Sequence, residues 1–229
     1  MLDKNPSINF KKNYYRERNN ILKAKKNMRL HQLAENEINT FFIIARLSGF
    51  QKENTFKNKK ILDLGSGDQF LKCSIVKRKA VYNPIDIDTT DFNTDKLPFK
   101  SNSFDIIFSL AVIEHIDGIS NYLSEALRVL KPGGIFYLST PNFRYCYKSF
   151  YDDPTHVKPF TDKSLEKVLF FNSFKHVSIY PGVRSKSDWF YKGSLRFLKC
   201  SLIPFREKRW FLPRFFTGRA TSIFGICTK

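Results

Sequence analysis

The sequence predicts an α/β fold in which a mostly parallel sheet is joined by crossover helices. Three observations carry that reading. From Lys59 onward, short apolar runs alternate with helical stretches. The first run, KKILDLG, breaks into a glycine-rich turn that opens a helix. The chain has 229 residues, enough for one α/β domain with a core of its own.

The elements follow in chain order. Residues 1–58 are polar and basic and read as an N-terminal helical cap belonging to the same domain. Within them, Asn20 to Phe50 has helical spacing, with Leu30, Leu33, Ile38, Phe41, Phe42 and Leu47 among the apolar positions and Gly49 as the stop. Residues 59–229 form the main domain. KKILDLG is its first strand, residues 69–79 its first helix and AVYNPIDI its second strand. Only about ten residues then lead to LPF, whereas a parallel crossover normally needs a dozen or more, so the usual helix and third strand are shortened or missing. FDIIFSLAV, GIFYLSTP, KHVSIYP and ATSIFGICT supply the later strands. Helices are expected at 119–130, stopped by Pro132, Gly133 and Gly134, and at 162–171.

The net charge of +18 favours anionic partners: nucleic acid, phosphorylated small molecules or an anionic membrane face. A plainer source is biased codon composition, which would enrich Lys, Asn, Ile and Phe together. Residues 184–219 concentrate the charge. They carry Arg184, Lys186, Arg206, Lys208, Arg209 and Arg214, with Trp189, Phe190, Trp210 and Phe211 interleaved. This stretch is expected as an insert before the last strand. Its amphipathic segments, broken at Pro204 and Pro213, would rest on an anionic membrane or clasp a lipid-linked acceptor. In the plainer reading its aromatics pack on the domain and its cations face water. The four cysteines form no CxxC and read as free thiols in a reducing compartment. No signal peptide and no apolar run of ~18 residues is present, so a cytoplasmic protein is expected, with peripheral contact to a membrane as its one membrane role.

The chemistry centres on ILDLGSGDQF, residues 61–70. Glycines allow positive φ and close approach of a ligand, and the following helix would present its first amides there. Alone, G-x-G also fits any tight strand-to-helix turn. Roughly twenty residues on, the second strand ends in IDID, where an acid can accept hydrogen bonds from ribose hydroxyls. A nicotinamide fingerprint would need glycine at position 70, and Phe70 stands there.

Taken together, LDLGSGDQF, IDID, LPFKSNSFDIIFSLAVIEHI and LSEALRVLKPGGIFYLSTP, in that order across about residues 59–142, resemble the class I S-adenosylmethionine-dependent methyltransferase superfamily. The match is to its broad bacterial-type small-molecule group. The resemblance implies a Rossmann-like class I methyltransferase fold, a mostly parallel seven-stranded sheet and S-adenosylmethionine as cofactor. It implies that Asp63, Gly65, Ser66 and Gly67 line the amino-acid end of the cofactor and that Asp86 holds the ribose. Asn93 falls near the adenine, with Asp91 and Asp95 as alternatives because the short segment blurs the register. Ser109 and Leu110 flank the methionine part, while Asp105 and the LKPGG turn are structural. Gln69 replaces the third glycine of the family motif.

Two histidines are candidate catalytic groups. His156 lies in YDDPTHVKPFT, a run similar to one in related methyltransferases, and would serve as general base for a hydroxyl acceptor. His115, after Glu114, would stand near the methyl group or simply orient its loop. His31 and His176 receive no chemistry, and no His/Cys/Asp spacing suggests a metal. The expected activity is methyl transfer to a hydroxyl or carboxyl of a small-molecule, sugar or lipid-linked acceptor. Two other classes stay open. An RNA or DNA methyltransferase would use the positive charge, although no N/D-P-P-Y/F motif is present. A non-catalytic module that keeps the cofactor fold is compatible with Gln69.

Overall fold

Six strands form one sheet: β1 (Lys60–Leu64), β2 (Val81–Ile85), β3 (Phe104–Leu110), β4 (Leu130–Pro141), β5 (Lys175–Pro181) and β6 (Ser222–Thr228). They come from a computed structural model that describes residues 9–14, 16, 17, 27–182, 189, 192–202 and 220–229. The spatial order is β2-β1-β3-β4-β6-β5. β1 is parallel to β2 and to β3, and β3 is parallel to β4. The last strand, β6, inserts antiparallel between β4 and β5.

The expected seven-stranded sheet is thus six-stranded among the described residues. Residues 86–100 hold turns and bends where a crossover helix and a third strand would stand. The segment is drawn straight across by a side-chain clamp. Arg128 donates to the carbonyls of Leu97 (3.0 Å) and Phe99 (2.8 Å), and the Leu97 amide donates to Glu125 at 2.7 Å. Glu125 and Arg128 are themselves paired at 2.6 Å. So the E-x-x-R of the LSEALRV run exists to pin the LPF turn. With no third strand, β2 is an edge, which is where Pro84, lacking an amide hydrogen, does no harm to a ladder.

Successive side chains of each strand point to opposite faces, and both faces are buried. Leu62, Leu64, Ile107, Phe136 and Leu138 pack on one side, with α3 (Ile119–Val129) and α5 (Asp162–Phe171) over them. Ile61, Ile106, Phe108, Ile135 and Tyr137 pack on the other. The second face is covered by α1 (Asn27–Leu47) and by α2 (Lys72–Lys77). The helix of the predicted N-terminal cap therefore covers one face of the sheet. Ile38, Phe41 and Ala45 are completely buried, and the Phe41 ring lies 5.0 Å from Phe108 and 5.4 Å from Tyr137. Burial of such a side chain contributes about 1.5–3 kcal/mol, so α1 is part of the domain rather than an appendage. Arg78 adds a forked pair to Glu35, at 3.0 and 2.7 Å, that ties the two helices' flanks.

Two further helices are short: α4 (Phe143–Cys146) and α6 (Arg196–Ser201). α6 lies in the basic insert, where the Arg196 guanidinium sits 4.6 Å over the Tyr180 ring and donates to the Ile179 carbonyl at 2.7 Å. Arg206, Lys208 and Arg209, on which the membrane expectation leans, lie outside the described residues. Among the described residues no helix is long and apolar enough to cross a membrane.

Candidate active site

Chain order reverses at β1: β2 lies on one side of it and β3 on the other. Parallel sheets open a crevice at the carboxyl ends of such strands. A cavity of about 550 Å³ lies there, lined by Gly65, Ser66, Gly67, Asp86, Asn93, Leu110, Val112, Pro141 and His156. Leu30, Leu33 and Glu37 of α1 line it as well, together with Lys11.

The glycine-rich turn is shaped by its backbone. Gly65 has φ +83°, and a Cβ there would sit 2.3 Å from Val112 Cγ2. Gly67 has φ +50°, and a Cβ there would meet no protein atom within 4 Å. Gln69, where the family has glycine, takes the left-handed conformation at φ +57°, so the turn keeps its path despite the substitution. The amides behave otherwise than the sequence led us to expect. Gly65 and Ser66 both donate to the Ile85 carbonyl, at 2.9 and 3.1 Å. Gly67 donates to Asp86 Oδ2 at 2.6 Å, and Ile87 donates to Asp86 Oδ1 at 2.7 Å. The amides of residues 65–67 are therefore committed within the fold, and a ligand there would meet glycine Cα atoms and the remaining lone pairs of Asp86. Burial raises the pKa of Asp86, and the two amides oppose the rise.

Two predicted cofactor contacts stand behind the wall instead of on it. Asp63 is 3% exposed and its Oδ2 accepts from the Tyr82 hydroxyl at 2.6 Å. Ser109 is fully buried against the Tyr122 hydroxyl at 2.5 Å. Neither lines the cavity. They hold the ends of β1 and β3 from beneath. Of the three adenine candidates, Asp91 and Asn93 reach the cavity and Asp95 does not. Asn93 Oδ1 accepts from the amides of Asp117 (2.9 Å) and Gly118 (3.0 Å), while its Nδ2 donates to Asp91 at 2.8 Å. It is the staple that brings the 91–95 turn against the loop after β3.

Asp63 gives a test of this placement. Burial pushes its pKa up to about 7. Between its ordinary range and that value, the folded state binds a proton that the unfolded chain has released, so stability falls as pH rises through roughly 4 to 7. Asp63→Asn should remove that fall, a gain of a few kcal/mol above neutrality relative to wild type. Urea midpoints at pH 5 and pH 8 read it; parallel profiles for both proteins would refute it.

His115 and His156 are 41 positions apart in the chain, yet their rings are 4.7 Å apart. The cause is one carbonyl: Glu114 O accepts from the amides of Val157 (2.9 Å) and Lys158 (3.0 Å), docking one loop on the other. The Thr155 hydroxyl gives its proton to Asp153. It can then only accept from His115 Nδ1 (3.0 Å), as can the Thr155 carbonyl (3.1 Å). His156 Nδ1 faces the Phe150 carbonyl at 2.6 Å. A carbonyl accepts, so both rings carry hydrogen on Nδ1, and in the neutral form the lone pair is on Nε2. Burial lowers the pKa of His115 to about 4. Glu114, which the sequence reading treated only as a neighbour, is fully buried with Oε1 4.0 Å from His115 Nε2. Its signal was an acid in the middle of the apolar run AVIEHI. For α1 the sequence marked a helical cap but not which of its side chains, Leu30, Leu33 and Glu37, would line the cavity.

The fold and crevice together define an α/β protein with a glycine-lined cavity over the end of β1. The comparisons name the class. Residues 62–138 match the family described as "Methyltransferase domain". The chain is 33% identical over 99 residues to a probable S-adenosylmethionine-dependent methyltransferase of Mycolicibacterium smegmatis, spanning 43% of this chain and 37% of that protein. It is 25% identical over 155 residues to the ubiquinone biosynthesis O-methyltransferase of Bartonella bacilliformis, spanning 52% of this chain and 61% of that protein. The chain thus spans less than two thirds of the length of these relatives. A crystal structure of an Archaeoglobus fulgidus S-adenosylmethionine-dependent methyltransferase covers 82% of this chain and 93% of its own, with a TM-score of 0.52 at 16% identity, a likeness of fold. Residues 62–138 thus resemble a methyltransferase domain, within a fold like that of S-adenosylmethionine-dependent methyltransferases.

Proposed function

We propose that the chain transfers a methyl group from S-adenosylmethionine to an oxygen acceptor, a hydroxyl of a small-molecule, sugar or lipid-linked compound. The cofactor, when bound, supplies a methyl group on a sulfonium that needs no further activation. The residues present fit it. Gly67 leaves open a space that any Cβ would fill, and Asp86 stands beside it with acceptor capacity for ribose hydroxyls. What the protein must then add is alignment of the acceptor and basicity at its oxygen.

One observation carries the choice of acceptor: His115 and His156 both line the cavity with hydrogen fixed on Nδ1, which makes Nε2 the basic nitrogen of each neutral ring. An amine acceptor already carries its own lone pair once neutral; a hydroxyl needs help to lose its proton. The Bartonella relative is named as an O-methyltransferase, which supports the same reading. The basic insert supports a lipid-linked acceptor reached by peripheral contact with an anionic membrane. Retention on anionic vesicles that disappears as salt rises is its sign.

The test is a labelled-methyl assay on cell fractions. Label should enter the small-molecule or lipid extract in a base-stable ether, and His156→Ala should lower its rate by about 10²–10⁴-fold with cofactor affinity unchanged. Base-labile label would move the acceptor to a carboxyl. Label in RNA or DNA would overturn the reading in favour of a nucleic-acid enzyme, and no label with no cofactor binding would leave a binding module.

A further inference from the structure

We propose that Glu114, His115 and His156 form a binding site for one first-row divalent transition ion, of the zinc type, at the acceptor side of the cavity. The proposal rests on the reading of this cluster as the apparatus that activates a hydroxyl, and it assigns the activating group. One ligand atom from each of the three residues lies within 4.8 Å of the others. Two donors on a common ion, at bonds of about 2.0–2.2 Å, lie at most about 4.4 Å apart. The Glu114 Oε1 to His115 Nε2 separation of 4.0 Å is already inside that limit. The rest needs only a small closure of the His156 ring, which sits on a loop.

The second observation is orientation. Imidazole ligands ordinarily donate their other N–H to a carbonyl or carboxylate, which fixes the ring and its tautomer. Both rings here do so, His115 through Thr155 and His156 through the Phe150 carbonyl. Behind His115 the chain continues, because Asp153 accepts from both the amide and the hydroxyl of Thr155. The donor set is two imidazoles and one carboxylate, which suits zinc, manganese or iron(II) over magnesium or calcium. All three residues line the cavity, so coordination positions stay open toward the space where an acceptor oxygen would enter. No spacing in the sequence could announce this site, because two ligands are adjacent and the third is 41 positions away.

The experiment needs neither cofactor nor acceptor, so its failure and the failure of the methyl-transfer reading are distinguishable. The whole chain, stripped by a chelator and dialysed, is titrated with Zn²⁺ by calorimetry and with Co²⁺ by visible absorption. One equivalent should bind, with Co²⁺ bands of nitrogen and oxygen ligation and no thiolate charge-transfer band. His156→Gln and Glu114→Gln should each weaken binding by roughly 10²-fold or more, beyond what loss of a supporting partner causes. Cys73→Ser removes an exposed thiol and should change nothing. Circular dichroism checks the fold of each variant. If Glu114→Gln, at a buried position, does not fold, His156→Gln decides alone. Absence of Zn²⁺ and Co²⁺ binding to wild type at millimolar ion, or equal affinity in folded His156→Gln, overturns the proposal.

Discussion

Replacing Gly65 should produce the largest loss of both stability and cofactor affinity. Two separate costs meet there. The backbone is at φ +83°, where a β-branched residue is a genuine outlier. A Cβ would also overlap Val112 Cγ2 at 2.3 Å, and Val112 is itself buried at 8% exposure. Strain of about 1–3 kcal/mol and overpacking of about 1–3 kcal/mol put Gly65→Val at roughly 2–6 kcal/mol destabilised. Gly65→Ala should suffer the same overlap, and Val112→Ala in the same chain should restore part of the loss by opening space while leaving the φ strain. Gly67→Ala separates the two effects. Its Cβ meets no protein atom within 4 Å, so stability should fall only by the strain, yet S-adenosylmethionine affinity should drop because the methyl stands at the cavity wall. Urea melts and calorimetric titration of each variant read both quantities. A Gly65→Val protein of wild-type stability, or a Gly67→Ala protein of wild-type affinity, would remove the account of the turn.

Asp86→Ala should give the second large effect. In the structure its carboxylate already does one job, holding the Gly67 and Ile87 amides at 2.6 and 2.7 Å. In the proposed complex it does a second, accepting from ribose hydroxyls. Hydrogen bonds to charged groups contribute about 1.5–3 kcal/mol each, so loss of two predicts cofactor affinity lower by at least roughly 10²-fold. Asp86→Asn should be intermediate: it keeps an acceptor for one amide and turns its other atom into a donor facing Gly67 N–H. Unchanged affinity in Asp86→Ala would transfer the ribose role to Asp88, which is exposed beside it. Because burial raises the Asp86 pKa, cofactor binding should also weaken on acidification before an ordinary surface carboxylate would titrate.

Much of the fold was legible because it is written locally. KHVSIYP and residues 162–171 coincide with β5 and α5 to the residue. Apolar runs bounded by turn residues need only short-range information, and a parallel sheet buried on both faces makes those runs nearly continuous. The short link after β2 was also visible by counting residues. The number of strands was not, since whether ten residues can still pair depends on what holds them; here Arg128 and Glu125 do. Nor was the role of α1. Its apolar positions mark a helix that must bury a face, but nothing in them says that the face lies on Phe108 and Tyr137 across the sheet.

The site divides the same way. Gly65, Gly67, Asp86 and Leu110 were legible because each sits at or just past the end of a strand, and strand ends of a parallel sheet gather on one edge. By itself the sequence determined that edge: an α/β sheet, a glycine turn after its first strand and an acid after its second. The tertiary structure alone decided which atoms of that edge are available. It sent the amides of the turn to Ile85 and Asp86, put Asp63 and Ser109 behind the wall, and brought Glu114 and His115 to His156 through a single backbone carbonyl. Hydrogen-bond capacity is limited, and a group bonded within the fold is no longer offered to a ligand. That bookkeeping depends on neighbours distant in sequence, so no local pattern of residues can contain it.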